Sequence, residues 1–243
     1  MAVRDPVEPA AARDQLTKRL DAAETLLGHG FRDRGLLAEA LTHRSALQGK
    51  GPRRRGNSNE RLEFVGDRVL GLVVAEWLIE RFPEEPEGAL GRRHAHLVSR
   101  RVLAEIAERA GLSGALSIGV NEAKAGVGSL ANVLADGLEA GIGAVYLDGG
   151  LEPVRRFIRG AWGAELDAMA GPPTDPKTAL QEWLMARGLA LPSYEVSARS
   201  GPSHAPAFVM VVSGAGKTGS GTAGTKRVAE REAAADLLAK LQV

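Results

Sequence analysis

Residues 57–70 read NSNERLEFVGDRVL and place Glu60, Glu63 and Asp67 three and four positions apart. At about 100° per residue, a helix gathers these three carboxylates onto one narrow face. The same face continues through Gly71, Val74 and Leu78, so the acids open a stripe that turns apolar one turn later. Leu62, Phe64, Val65, Val69, Leu70, Leu72, Val73 and Trp77 cover most of the remaining circumference, which predicts a core helix over 59–82. Acids in the first turns also suit solvent and the positive end of the helix dipole. Three on one face nevertheless repel one another unless something positive lies between them.

A second segment supplies their counterpart. In ANVLADGLEAGIGAVYL, residues 131–147, the only charged side chains are Asp136 and Glu139, again three apart, and Gly137, Gly141 and Gly143 permit a neighbouring helix to come close. Unpaired carboxylates are too costly to bury without a cation or a raised pKa. Two helices that each offer acids at this spacing make an all-oxygen site, suited to Mg²⁺ or Mn²⁺ rather than zinc. Hard divalent ions in such a nest point to phosphoryl-transfer or phosphodiester chemistry.

The chain has 243 residues, 44% of them apolar, enough for one large domain or two small ones. It carries 31 basic and 30 acidic residues, so no global field selects a polyanionic partner. Residues 174–243 hold 8 basic and 6 acidic residues, leaving 23 and 24 in the remainder; any basic footprint is local. With no cysteine there is neither a disulfide framework nor a thiolate metal site. The opening MAVRDPVEPAAARDQL lacks the apolar core of a signal peptide, and no window reaches membrane-span length. The expectation is a cytoplasmic protein without a membrane partner.

Residues 1–13 read as a flexible tail, and helical periodicity then dominates from 14 to 168. Helices are expected at 14–28, 34–46, 59–82, 91–111, 129–147 and 151–168. AGPPTDP, residues 170–176, stops any helix, which makes 169–175 a linker. Residues 176–243 follow a different pattern: a helix at 176–188, the strand-like runs SYEVSARS and AFVMVVSG, a third strand near 217–223, and a helix over 225–241. The predicted fold is an all-α domain followed by a small α-β-β-β-α domain. SGAGKTGSGTAG, residues 213–224, resembles a phosphate loop at Gly216-Lys217-Thr218, but the required earlier glycine is Val211. A turn between strands is expected there, and no nucleotide cofactor. His94 and His96 point to different helix faces, and His43 reads as a structural hydrogen-bonding residue.

NERLEFVGD, residues 59–67, closely resembles the signature of the ribonuclease III family, and the likeness continues through LTHRS at 41–45, EG at 87–88 and LADGLEAGIGAVYLD at 134–148. It covers essentially everything after the tail. By matching position, the resemblance implies that Glu63, Asp67, Asp136 and Glu139 are metal ligands, with Asp67 and Glu139 catalytic. Glu60 and Glu87 would help to hold substrate and water. Glu87, one of three acids in the Pro-rich turn FPEEPEGALG, is singled out by the resemblance alone. Val65 and Gly137 are minor departures, as is Arg68, which stands where a small residue is frequent. The resemblance further implies an endoribonuclease of double-stranded RNA that uses Mg²⁺, or Mn²⁺, to leave 5′-phosphate and 3′-hydroxyl ends with a short 3′ overhang. It implies a homodimer in which Phe64 inserts into the partner subunit, and processing of ribosomal-RNA precursors and messenger RNA.

In GTKRVAE, residues 224–230, Lys226 and Arg227 occupy a first helical turn, where positive charge opposes the dipole unless an anion binds. Together with GPSHAPAF at 201–208 and DPKTALQEWL at 175–184, this unit resembles a double-stranded-RNA-binding domain. Such domains read A-form shape, phosphates and 2′-hydroxyls. The resemblance implies minor-groove contacts from Gln181, Glu182 and His204 and a phosphate clamp of Lys226 and Arg227; Thr225 and Met185 depart from its pattern. The basic stretch GKGPRRRG, residues 49–56, reads either as a phosphate-contacting loop or as a solvated insertion. Two rivals stand beside the nuclease: a non-catalytic RNA-binding protein that has kept the fold, and an all-α enzyme binding diphosphate.

Overall fold

The computed structural model describes residues 10–47, 57–202 and 205–242. Residues 1–9 of the expected tail, His204 and the basic stretch 49–56 lie outside them, and residues 10–13 of that tail belong instead to the first helix. The chain divides into two compact units, residues 1–172 and 173–243.

The first unit is helical: α1 (Ala10–Leu27), α2 (Arg34–Ala40), α3 (Glu60–Arg81), α4 (Glu87–Leu97), α5 (Arg100–Arg109), the short α6 (Val120–Lys124), α7 (Ala131–Gly149) and α8 (Leu151–Asp167). Its centre is the crossing of α3 and α7. A Cβ added at Gly66 would sit 1.7 Å from the Glu139 carbonyl oxygen, and one at Gly143 would sit 2.2 Å from that of Leu62. Backbone meets backbone there, so both positions require glycine. Of the glycines expected to permit close approach, Gly143 serves this crossing, whereas Gly137 faces Leu116 and Gly141 faces Leu27. Around the pair, Leu70, Val73, Leu103, Leu138, Ile142, Ile158 and Trp162 are buried, and the Trp162 indole donates to the Leu97 carbonyl at 2.9 Å.

Three expectations need correction. The single helix over 91–111 is two, α4 and α5, with α4 beginning at Glu87. Ser99 caps α5, its hydroxyl accepting from the Val102 N–H at 3.4 Å; a serine in that role favours a new start over a continued helix. The helix over 34–46 stops at Ala40, because Thr42 pairs with Ser117 in an isolated parallel bridge before a 3₁₀ turn at Arg44–Leu47. Nor is α3 enclosed on every side: Phe64, Leu72 and Ile79 are exposed.

In the second unit α9 (Pro176–Met185) precedes β1 (Ser193–Ser200), β2 (Ala207–Gly214) and β3 (Lys217–Ala223), and α10 (Lys226–Gln242) closes it. The strands form an antiparallel sheet in sequence order. Leu180 and Leu184 of α9, Met210 and Val212 of β2, and Ala229, Ala233, Ala234 and Leu237 of α10 make its core, so both helices cover one sheet face. Gly219 and Gly221 let α10 lie against β3: a Cβ at either would come within 2.4 Å of an α10 carbonyl oxygen. Two α10 carboxylates, Asp236 and Glu232, accept the Ser220 and Thr222 N–H groups at 2.8 and 3.0 Å, which protects that sheet edge. The glycine-rich Gly214–Lys217 segment is the β2–β3 turn, with Ala215 and Gly216 at φ 52° and 74°, the two positive angles of a tight hairpin. Among the described residues no helix is long and apolar enough to cross a membrane.

Candidate metal centre and nucleic-acid interface

The α3–α7 crossing lies beside the acids. Because the two backbones touch at Gly66 and Gly143, side chains from the N-terminal turns of α3 and from α7 can converge. One carboxylate oxygen each from Glu63, Asp136 and Glu139 lies within 4.8 Å of the others. They line an open pocket of about 640 Å³ together with Glu60, Asp67, Phe64, Val98, Arg68 and Arg100. Five carboxylates thus face two guanidinium groups.

Burial is the leading electrostatic effect. It pushes the Glu139 carboxyl up to about 7, with Asp67, Glu63 and Asp136 adding repulsion and Arg100 opposing it. Glu63 is raised by burial and then by Asp136. Asp136 is raised by burial, against the pull of Arg100, His43 and Arg44. The Asp136 Oδ1 atom is buried and has no hydrogen-bond partner; the nearest guanidinium nitrogen, from Arg100, is 3.8 Å away. An orphaned carboxylate oxygen amid converging acids is the environment that a hard dication relieves. The residues therefore fit Mg²⁺ or Mn²⁺ by donor type; among the described residues no thiolate or imidazole joins the set.

Two expected site residues behave differently. Asp67 lines the pocket but lies outside the three-carboxylate set, half-exposed and ion-paired with Arg68 at 2.7 Å. Glu87, at the first turn of α4, does not line the acidic pocket. It borders a separate, nearly apolar depression of about 220 Å³ formed by Ala75, Leu78, Ile79, Leu90, Gly91 and His94. Within one chain it is not brought to the other five acids. Glu60 sits at the pocket rim, where Ser58 Oγ donates to its Oε2 at 2.8 Å and Arg44 approaches Oε1 at 3.9 Å. Asn59 stands at the α3 N-cap position but makes no side-chain cap.

The sequence reading missed Arg44 and Arg100. Arg100 opens α5, where a cation opposes the helix dipole. That argument singled out Lys226 and Arg227, and it would have flagged Arg100 had the Ser99 cap been recognised. His43 shares a 2.8 Å hydrogen bond with Ser45, and His94 donates to the Gly71 carbonyl at 2.9 Å.

In the second unit, Lys226 and Arg227 are exposed on the first turn of α10, and Thr225 Oγ1 accepts from the Val228 N–H at 3.3 Å. Gln181 and Glu182 project from the exposed side of α9, whose start is capped by Asp175, accepting from the Lys177 N–H at 2.9 Å. Two cations on the first turn of a helix form an anion-attracting end, and α9, which carries Gln181 and Glu182, packs on the same sheet face.

Comparison with known proteins divides the chain in the same way. A Ribonuclease-III-like family profile matches residues 33–163, and a double-stranded RNA binding motif matches residues 176–241. The chain is 44% identical over 229 residues to Ribonuclease 3 of Cereibacter sphaeroides, covering 94% of this chain and 98% of that protein. It is 42% identical over 240 residues to Ribonuclease 3 of Rhodopseudomonas palustris, covering 96% and 87% respectively. A solved nuclease domain of ribonuclease III from Campylobacter jejuni, described as flexible in a region involved in dimer formation, superposes with a TM-score of 0.53 at 36% identity; it covers 59% of this chain and 99% of that domain.

Proposed function

This chain belongs to the ribonuclease III family, and from that premise we propose that it is an endoribonuclease that hydrolyses double-stranded RNA at a divalent-metal centre formed by Glu63, Asp67, Asp136 and Glu139. The observation that carries the reading is the convergence of three carboxylates around the unpartnered Asp136 Oδ1. Glu63, Asp67, Asp136 and Glu139 would hold the Mg²⁺ or Mn²⁺, which would make a nucleophile available at neutral pH and offset charge on the phosphoryl oxygens. The protein supplies position. Glu63 and Glu139 are brought near each other because α3 and α7 approach until their backbones touch at Gly66 and Gly143. Glu60, with one oxygen engaged by Ser58 and Arg44 standing 3.9 Å from the other, would use that second oxygen to orient water or a 2′-hydroxyl. Arg44 and Arg100, beside Glu60 and Asp136, would meet phosphate of a backbone entering the pocket.

Lys226, Arg227, Gln181, Glu182 and His204 would grip the duplex by its phosphates and minor groove. Two copies would act together. Phe64 is 61% exposed on the same helix as Leu72 and Ile79, an apolar run that a second copy would cover. The nearly apolar depression beside Ile79 is a receptor for the partner's Phe64. Since Phe64 also lines its own acidic pocket, such docking would bring Glu87, on the depression's border, next to the acids of the partner subunit. That accounts for its separation from the other five within one chain. Paired sites cutting opposite strands would leave 5′-phosphate and 3′-hydroxyl ends with a short 3′ overhang. Cytoplasmic RNA processing, including ribosomal precursors, is the proposed setting.

Long duplex RNA incubated with the purified protein should be cut in Mg²⁺ and left whole in EDTA. Glu139→Ala should bind RNA without cutting it. Intact RNA with wild type in Mg²⁺ would support the rival reading of a non-catalytic binding protein. A single species of monomer mass by sedimentation at micromolar concentration would remove the dimer.

A further inference from the structure

We infer that Arg68 is a resident counter-ion for Asp67, which an incoming divalent cation must displace before the fourth carboxylate can join the metal site. The inference rests on the metal reading above and concerns the one ligand that stands apart from the cluster. Glu63, Asp136 and Glu139 converge, but Asp67 does not; its Oδ2 lies 2.7 Å from Arg68 Nη1.

The guanidinium is held by more than that pair. Its Nη1 also donates to the Phe64 carbonyl at 3.2 Å, and its Cζ lies 4.0 Å from the centre of the Phe64 ring. The backbone acceptor and the carboxylate hold it at the wall of the acidic pocket. Arg100 is different: it stands 3.8 Å from Asp136, outside hydrogen-bond range. Among the described residues, Arg68 is therefore the rim cation that directly occupies a proposed ligand. It is a positioning residue, acting through Asp67. A dication attracts Asp67 with twice the charge, so Arg68 lowers metal affinity without abolishing it. Once displaced, it remains at the pocket wall as a free cation.

The experiment is calorimetric titration of the full-length chain with Mn²⁺ alone, at fixed salt, without RNA. Both side chains are at least half-exposed, and such pairs contribute at most about 1 kcal/mol, so Arg68→Ala should bind Mn²⁺ about two- to fivefold more tightly than wild type. Arg68→Lys, which restores the charge, should return most of the way to the wild-type value. Arg61→Ala, which removes the same charge from the same helix without touching a ligand, should shift affinity less. Equal or weaker binding by Arg68→Ala overturns the inference, as does an equal gain from Arg61→Ala, which would reduce the effect to general field. If wild type takes up no Mn²⁺, the metal reading itself fails. If wild type binds, Glu139→Ala does not, and Arg68→Ala matches wild type, the metal reading stands and only the role of Arg68 is lost.

Discussion

Glu139 holds its proton up to about pH 7, where a free glutamate lets go near 4.5. Burial and three neighbouring carboxylates set that difference. The folded chain therefore binds more protons than the unfolded chain between those two values, and stability falls as pH rises across the window. Glu63 and Asp136 are raised as well and act in the same direction. Carboxylates held low by partners, such as Glu85 beside Arg93, work the other way, but their window lies at acid pH. Metal-free protein should consequently lose a few degrees of melting temperature between pH 5 and pH 8, and Glu139→Gln should flatten the trend. Mn²⁺ should raise the melting temperature more at pH 8 than at pH 6, because its ligands must first be deprotonated. A melting temperature that climbs steadily to pH 8 without metal would contradict this account.

At the scale of elements, the acids depend on the α3–α7 contact. Gly66 is itself part of the signature stretch, one residue before Asp67, and its missing side chain makes room for the Glu139 carbonyl. Gly66→Ala would force the helices apart at the level of the ligands. Overpacking of this kind typically costs about 1–3 kcal/mol, and here the clash is with backbone rather than with a flexible side chain. A loss of at least about 3 kcal/mol in urea-monitored stability is expected; an unchanged midpoint would show that the crossing can relax. The helices themselves were legible from apolar periodicity, and the ends of α3 and α7 fell within two residues of expectation. The break at Ser99 was not, because "LVSRRVL" keeps helical periodicity through the cap and serine is tolerated inside helices. That break is what delivers Val98 and Arg100 to the pocket.

At the scale of the molecule, gripping and cutting are assigned to different units. Lys226→Ala/Arg227→Ala should weaken duplex-RNA binding and reduce the salt slope by about 2, one for each phosphate no longer neutralised. Cleavage at saturating RNA should persist, because neither residue belongs to the unit that holds the acids. An unchanged slope would exclude both as phosphate ligands. The sequence by itself determined the succession of a helical domain and an α-β-β-β-α domain, and the residue types of the candidate metal site. Periodicity and the cost of buried charge are local properties that any reading of the chain can reach. Tertiary structure alone decided which acids converge. It gathered Glu63, Asp136 and Glu139 through a glycine crossing, left Asp67 with Arg68, and set Glu87 beside a different depression. Those outcomes depend on the approach of helices some seventy residues apart and on the competition of neighbouring cations for each carboxylate, and spacing along one chain encodes neither.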